Sequence, residues 1–352
     1  MESSESECRH GRINSHNKAY EYNNIASNIS GIPKEGMAYI KENVTLSSSI
    51  TLTNDLYLCL NGFNLTGISF VNNSYTVYIT NCQEKDNSIT EAENTYLANG
   101  GYIQILSNKN KIRVNTDKII NADNTVNKPG EFVFMNVDFR QVINGNVDGR
   151  IMNVLTANRK ITLSTVYIVN YSIAEGYEMI ALVGTNIKTE FYNVTIKGNT
   201  TPSRSLMKVG SEGETSRFEG CSFEENNAPN NAIISVRANT KLYMKQNYLY
   251  KNMANNLLYL LSADTQVILE DGNEIIENQT TDPNETAHLV YIANGRTIKT
   301  EGENKFIKNI STRVLIHTGA GTYINEGKVE IEENEGIVII YGAGSKKKVV
   351  EK

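Results

Sequence analysis

Cys221-Ser222-Phe223-Glu224-Glu225-Asn226, Asn247-Tyr248-Leu249-Tyr250-Lys251-Asn252 and Asn304-Lys305-Phe306-Ile307-Lys308-Asn309 are one phrase written three times. Each carries an apolar residue three places before a closing Asn and a charged residue immediately before it. The closing Asn recurs at Asn144, Asn170, Asn199, Asn226, Asn252, Asn278, Asn309 and Asn334, at intervals of 25 to 31 residues. That period belongs to a solenoid rather than to a globular enzyme. The apolar partners Ile196, Phe223, Leu249, Ile275, Phe306 and Ile331 predict one buried column running along the stack.

The residue before each Asn indicates how the repeats stack. It reads Glu225, Lys251, Glu277, Lys308, Glu333, alternating in sign, and the position four before the Asn follows with Glu274, Lys305 and Glu330. Neighbouring strands lie roughly 4.8 Å apart, so a parallel in-register stack sets each charge between opposite ones. Exposed pairs contribute about 0 to 1 kcal/mol each, so the alternation specifies register more than it adds stability.

A second strand follows each Asn: Ile233-Ile234-Ser235-Val236, Leu257-Leu258-Tyr259-Leu260-Leu261, Leu289-Val290-Tyr291-Ile292, Val314-Leu315-Ile316 and Ile337-Val338-Ile339-Ile340. These short β-branched or aromatic runs read as buried strands. Small residues close them: Gly184, Gly210, Ala238, Ala263, Ala293, Gly319 and Gly342. At the earlier corner the Asn is expected to take a left-handed backbone and to bond its amide to the equivalent amide one coil away. Asn170, Asn199, Asn226, Asn252, Asn278, Asn309 and Asn334 are therefore assigned as a structural ladder. The fold class is all-β: a right-handed parallel β-helix, its hand taken from the general preference of parallel crossovers.

Of the 352 residues, 39% are hydrophobic, none is Trp, 5 are Pro and 25 are Gly. Few prolines suit strands that must donate nearly every N–H. At about 27 residues per coil the chain holds roughly a dozen coils in one elongated domain. Residues 1–40 are expected as an irregular N-terminal cap, 41–344 as the β-helix and 345–352 as a basic tail carrying Lys346-Lys347-Lys348. The net charge of −5 excludes a general nucleic-acid footprint. No apolar run is long enough to span a membrane. Met1 to Glu7 lacks the basic and apolar regions of a signal peptide, so an exported form is expected to have lost its signal, with any anchor lying beyond Lys352.

Leu56-Tyr57-Leu58-Cys59-Leu60-Asn61-Gly62-Phe63-Asn64-Leu65-Thr66-Gly67 is the most specific motif. It resembles the Leu-Cys-Leu-Asn-Gly segment near the start of many secreted right-handed β-helix proteins, broadly the pectin-lyase-like superfamily. The resemblance implies a fold and an extracellular or cell-surface location, and no single activity. Residues 83 to 130 fit the repeat poorly and are read as coils with longer loops. Polygalacturonases of this type carry Asn-Thr-Asp, an Asp pair, Gly-His-Gly and Arg-Ile-Lys, their aspartates serving as acid and base. Asn115-Thr116-Asp117 matches the first element alone. Were the chain an enzyme acting on acidic glycans, Asp117, Asp123, Asp138 and Asp148, with Arg140 or Arg150, are the candidates.

Cys59 and Cys82 lie close to one coil apart and could form a disulfide across adjacent rungs; Cys8 could instead pair with Cys59. Cys221 reads as a small buried hydrophobe. Cys8, His10 and His16 fall short of the four ligands of a structural zinc site, and His288 and His317 read as isolated edge residues. No metal or cofactor is expected. Tyr243, Tyr248, Tyr250 and Tyr259 gather in one coil, with Tyr248 facing outward, which suits stacking on sugars or contact with protein. Asn193-Val194-Thr195, Asn199-Thr200-Thr201 and Asn284-Glu285-Thr286 match the glycosylation acceptor. The expected function is that of a non-catalytic structural or adhesin-like protein acting on a glycan or protein surface, self-association included. The alternatives are a polysaccharide lyase or glycoside hydrolase, and a phage tail fibre or spike.

Overall fold

The computed structural model describes most of residues 159–342 and, before them, strands and short segments between residues 24 and 154. Residues 83–101, 114–129 and 343–352, which include looped coils and the basic tail as read above, lie outside the described residues. All regular structure described is β, in three long sheets of 12, 11 and 10 strands and one two-stranded sheet, Ile50–Thr51 with Phe70–Val71, all joined by parallel pairs.

One coil takes a strand from each sheet in turn. Ile187–Tyr192 belongs to the first sheet, Thr195–Lys197 to the second and Met207–Glu212 to the third. The next coil repeats the order with Thr215–Glu219, Ser222–Glu224 and Asn227–Arg237. The chain thus winds once per repeat, and every strand pairs with its equivalents before and after it.

The phrase that decided the fold forms the second sheet and its corner. Ile196, Phe223, Leu249, Ile275, Phe306 and Ile331 are successive in-register partners, and all are buried. A period of two along each strand puts them inside while Ser222, Tyr248 and Glu274 face out. The runs after each Asn form the third sheet, with Ile234, Leu258, Val290 and Ile316 in register. Strands such as Lys241–Lys245 and Thr297–Thr300 supply the first sheet, which adds Leu242, Met244 and Ile298 to the core. Phe191 and Phe218 stack there with centroids 4.8 Å apart at 12°, one coil over the other. Burying a side chain of this size stabilises by about 1.5 to 3 kcal/mol, so the apolar columns of the three sheets hold the coils together.

The corner between the second and third sheets corrects one expectation. The left-handed backbone belongs to the residue before each ladder Asn: Glu225, Lys251, Glu277, Lys308 and Glu333 have φ of 51 to 54°. That twist turns the charged side chain out to water and the next side chain, the Asn, inward. Asn170 is a second correction. It has φ 59° and is exposed, matching Gly198 and Glu225, while the ladder position of its coil is Tyr171. In the following coil the left-handed place is Gly198, where an added Cβ would run into the Asn170 amide oxygen.

Candidate functional site

Two asparagine ladders fix the corners that frame the outer faces. In the first, Asn226 N–H and Nδ2 both donate to Asn252 Oδ1 at 3.1 and 2.9 Å, and Nδ2 also donates to the Ile196 carbonyl at 2.8 Å. The same set repeats from Asn199 through Asn278 to Asn309, and the run closes on Asn334. Every amide-to-amide bond points the same way, from one coil to the next, while the Nδ2 bond to a carbonyl reaches back to the coil before. The buried amides are thereby satisfied, which an interior polar group requires.

A second ladder, unforeseen from the sequence, fixes the corner between the first and second sheets. Cys221 N–H donates to Asn247 Oδ1, Asn247 to Asn273 Oδ1, and Asn273 Nδ2 to Asn304 Oδ1. Its members stand five residues before those of the first ladder, a spacing that could have disclosed it. Cys221 is buried, its Sγ 3.4 Å from the Phe191 carbonyl oxygen, and burial pushes its thiol up to about 12. It is the small buried residue expected.

The outer face of the second sheet carries the tyrosines. Tyr248 and Tyr250 are two apart on one strand, point outward and stack with centroids 5.2 Å apart at 20°. Lys251 Nζ lies 4.8 Å from the Tyr250 centroid, a cation–π distance. Burial, then Tyr250, Glu224 and Glu274, raises the Tyr248 phenol above its ordinary value, so it remains a hydroxyl donor at neutral pH. Glu224 and Ile276 flank Tyr250 in register, and Ser222 and Glu274 flank Tyr248. The pair offers a flat apolar surface with hydroxyl edges, the combination that packs on a sugar ring or a protein side chain. Tyr243 and Tyr259 lie elsewhere, on the first and third sheets.

Charges on the faces are paired in the predicted register. Lys251 meets Glu277 at 3.6 Å, Lys308 meets Glu333 at 3.6 Å, and Lys305 meets Glu274 at 2.9 Å. On the first sheet Lys160 bridges Glu131 and Glu190 at 2.9 and 3.4 Å. Burial alone would raise the Glu190 carboxyl, but the Lys188 and Lys160 ammonium groups hold it below its ordinary value.

Of the candidate acids, Asp138 lies in the strand Asp138–Gln141, in register with Tyr102 and Tyr167. Asp117, Asp123 and Asp148 lie outside the described residues, as does Arg150; Arg140 follows Asp138 by two in the same strand. Among the described residues no three His, Cys, Asp or Glu side chains gather closely enough to hold a metal ion. Cys59 is buried, with Thr80 as its in-register neighbour, and its suggested partners Cys82 and Cys8 lie outside the described residues. His288 is buried in the third sheet rather than at an edge, stacked on Tyr291 at 5.5 Å. Asn199, one of the glycosylation matches, is fully buried in the ladder and closed to modification in the folded chain; Asn193 is exposed and Asn284 lies outside the described residues. Among the described residues no helix is long and apolar enough to cross a membrane.

Compared with known proteins, the chain matches no family model, no curated protein and no solved structure.

Proposed function

We propose that the chain is a non-catalytic, extracellular or cell-surface β-solenoid of pectin-lyase-like type that acts by binding or assembly. The observation that carries this reading is the unbroken repetition of the columns. From Asn199 to Asn334 the inward corner position is an amide bonded to its equivalent in every coil. Outward charges along the same coils meet opposite charges at matching heights. Catalysis on a stacked sheet needs acids and a base converging from adjacent coils, an arrangement that interrupts repetition. What this surface offers instead is a rigid frame with the Tyr248–Tyr250 platform on one face, suited to a glycan or protein partner through many weak contacts.

The test is an assay on polygalacturonate and related acidic polymers, with and without calcium. The expected outcome is no release of unsaturated uronides or reducing ends. Measured release that Asp117→Ala or Asp138→Ala abolishes would overturn the proposal in favour of a lyase or hydrolase.

A further inference from the structure

The Tyr248–Tyr250 pair heads a longer apolar stripe on the outer face of the second sheet. Tyr250, Ile276 and Ile307 are successive in-register partners, and all three point outward and are half-buried. Tyr248 stands beside Tyr250, the two rings stacked. Glu224 precedes Tyr250 in register and Glu332 follows Ile307, so the stripe ends in a carboxylate on either side. Two rows of charges border it. On one side Glu274 and Lys305 meet at 2.9 Å; on the other, at the corner, Lys251 meets Glu277 and Lys308 meets Glu333, both at 3.6 Å. Each of these bordering charges is therefore matched within the chain, and Lys251 also lies over the Tyr250 ring.

The charges decide the sign of the partner. With both borders neutralised in place, an ionic ligand meets no excess of opposite charge to offset its own desolvation, whereas an uncharged ligand needs none. Size decides its class. Tyr250 and Ile307 are two steps of roughly 4.8 Å apart, and the two outward positions of one strand are about 7 Å apart. The uncharged surface is thus on the order of 100 Å², against about 800 Å² on each partner in a stable protein interface. A protein or a second copy would have to extend over the charged borders and disturb their pairs; a single chain of sugar rings fits between them. Pyranose rings present C–H groups on their faces and hydroxyls at their edges. The stripe matches that pattern, with aromatic and aliphatic side chains along its middle and ion pairs and the Tyr248 hydroxyl at its sides. It is also straight, because it follows the stack, so an extended, equatorially linked chain keeps to it and a coiled one leaves it. We propose that the Tyr248–Tyr250–Ile276–Ile307 stripe binds a neutral, extended linear glycan lying along the solenoid axis. The proposal deepens the binding reading above and rests on its glycan side.

Titration calorimetry of the full chain with cellohexaose and mannohexaose, and electrophoresis through gels containing hydroxyethylcellulose, test it at low and high salt. Binding is expected in both, with less than about a twofold change between them, because no ion pair forms with the ligand. Tyr250→Ala and Ile276→Ala should each weaken it by about threefold to tenfold, and Ile276→Tyr, which lengthens the aromatic part of the stripe, should strengthen it. Tyr259→Ala on the third-sheet face should leave it unchanged, and thermal melting checks that each variant folds. Tetragalacturonate, with a carboxylate on every ring, should bind at least roughly tenfold more weakly than the neutral chains. No binding of any neutral chain, binding lost in high salt, a preference for tetragalacturonate, or stripe variants that bind like the parent would each overturn the proposal. Self-association in sedimentation velocity that Tyr250→Ala removes would assign the stripe to a second copy and overturn it too. None of these outcomes depends on the release of uronides or reducing ends, so this proposal and the non-catalytic reading fail separately.

Discussion

Asn252 uses every hydrogen-bonding group it has. Its N–H and Nδ2 donate to Asn278 Oδ1, Nδ2 donates also to the Phe223 carbonyl at 2.7 Å, and its Oδ1 accepts from the N–H and Nδ2 of Asn226. Only a side-chain amide combines two N–H donors with an oxygen acceptor in this volume; a carboxylate lacks the donors and Leu lacks both. Asn252→Leu should therefore lower stability by about 1 to 3 kcal/mol for each buried partner left unpaired, read as a fall in the denaturation midpoint. An unchanged midpoint would mean that the amides stack without stabilising. The Cys221 thiol, pushed up to about 12, has essentially no thiolate at pH 8, and the thiolate is the reactive form. Iodoacetamide at that pH should leave the Cys221 peptide unmodified in the folded chain and label it fully in denaturant, which peptide mass mapping checks. Labelling in the native protein would place the residue at the surface.

At the scale of the elements, the corner between the second and third sheets puts a charged residue, from Glu225 to Glu333, in a conformation that costs about 1 kcal/mol or more, while Asn170 and Gly198 take that place in the two coils before. The cost is tolerated because the twist points the ladder amide inward. Lys251 forms a pair at 3.6 Å with Glu277 from a half-exposed position. Lys251→Glu lines up three carboxylates with Glu225 and Glu277, yet should lower stability by less than about 1 kcal/mol, with the loss shrinking in salt. A loss as large as that from Asn252→Leu would show that the corner charges, rather than the ladder, set the register. Strands around the recurring Asn were legible because their apolar residues keep a fixed distance from it. First-sheet strands such as Lys241–Lys245 and Thr297–Thr300 were not, since Leu242 and Met244 alternate with Lys and Tyr and Ile298 stands between Thr and Lys, and only the stack shows that these three point inward. Asn170 was read one position off because an Asn at the left-handed place looks the same in sequence as an Asn in the ladder. The second ladder escaped because it passes through only three asparagines and begins at a cysteine.

For the whole molecule, each coil touches chiefly the coil before and the coil after, so stability is close to a sum of coil and neighbour contributions. Damage should then stay near where it is made. The ladder adds a direction, because N–H and Nδ2 of one Asn donate to Oδ1 of the next and never the reverse. Asn278→Leu removes the acceptor of the Asn252 N–H, whereas the N–H of Asn226 keeps its acceptor in Asn252. On the other side, the position 278 N–H can still reach Asn309 Oδ1, since that bond uses the backbone alone. Native-state hydrogen exchange on this variant should therefore show the Asn252 amide exchanging faster while the Asn226 amide keeps its protection, even though Asn226 lies only one coil further away. Equal acceleration at both would mean that the solenoid opens as a single unit, and acceleration at Asn309 in place of Asn252 would reverse the polarity of the ladder. A one-sided response confined to one coil is what a stack built from identical, oriented neighbours requires.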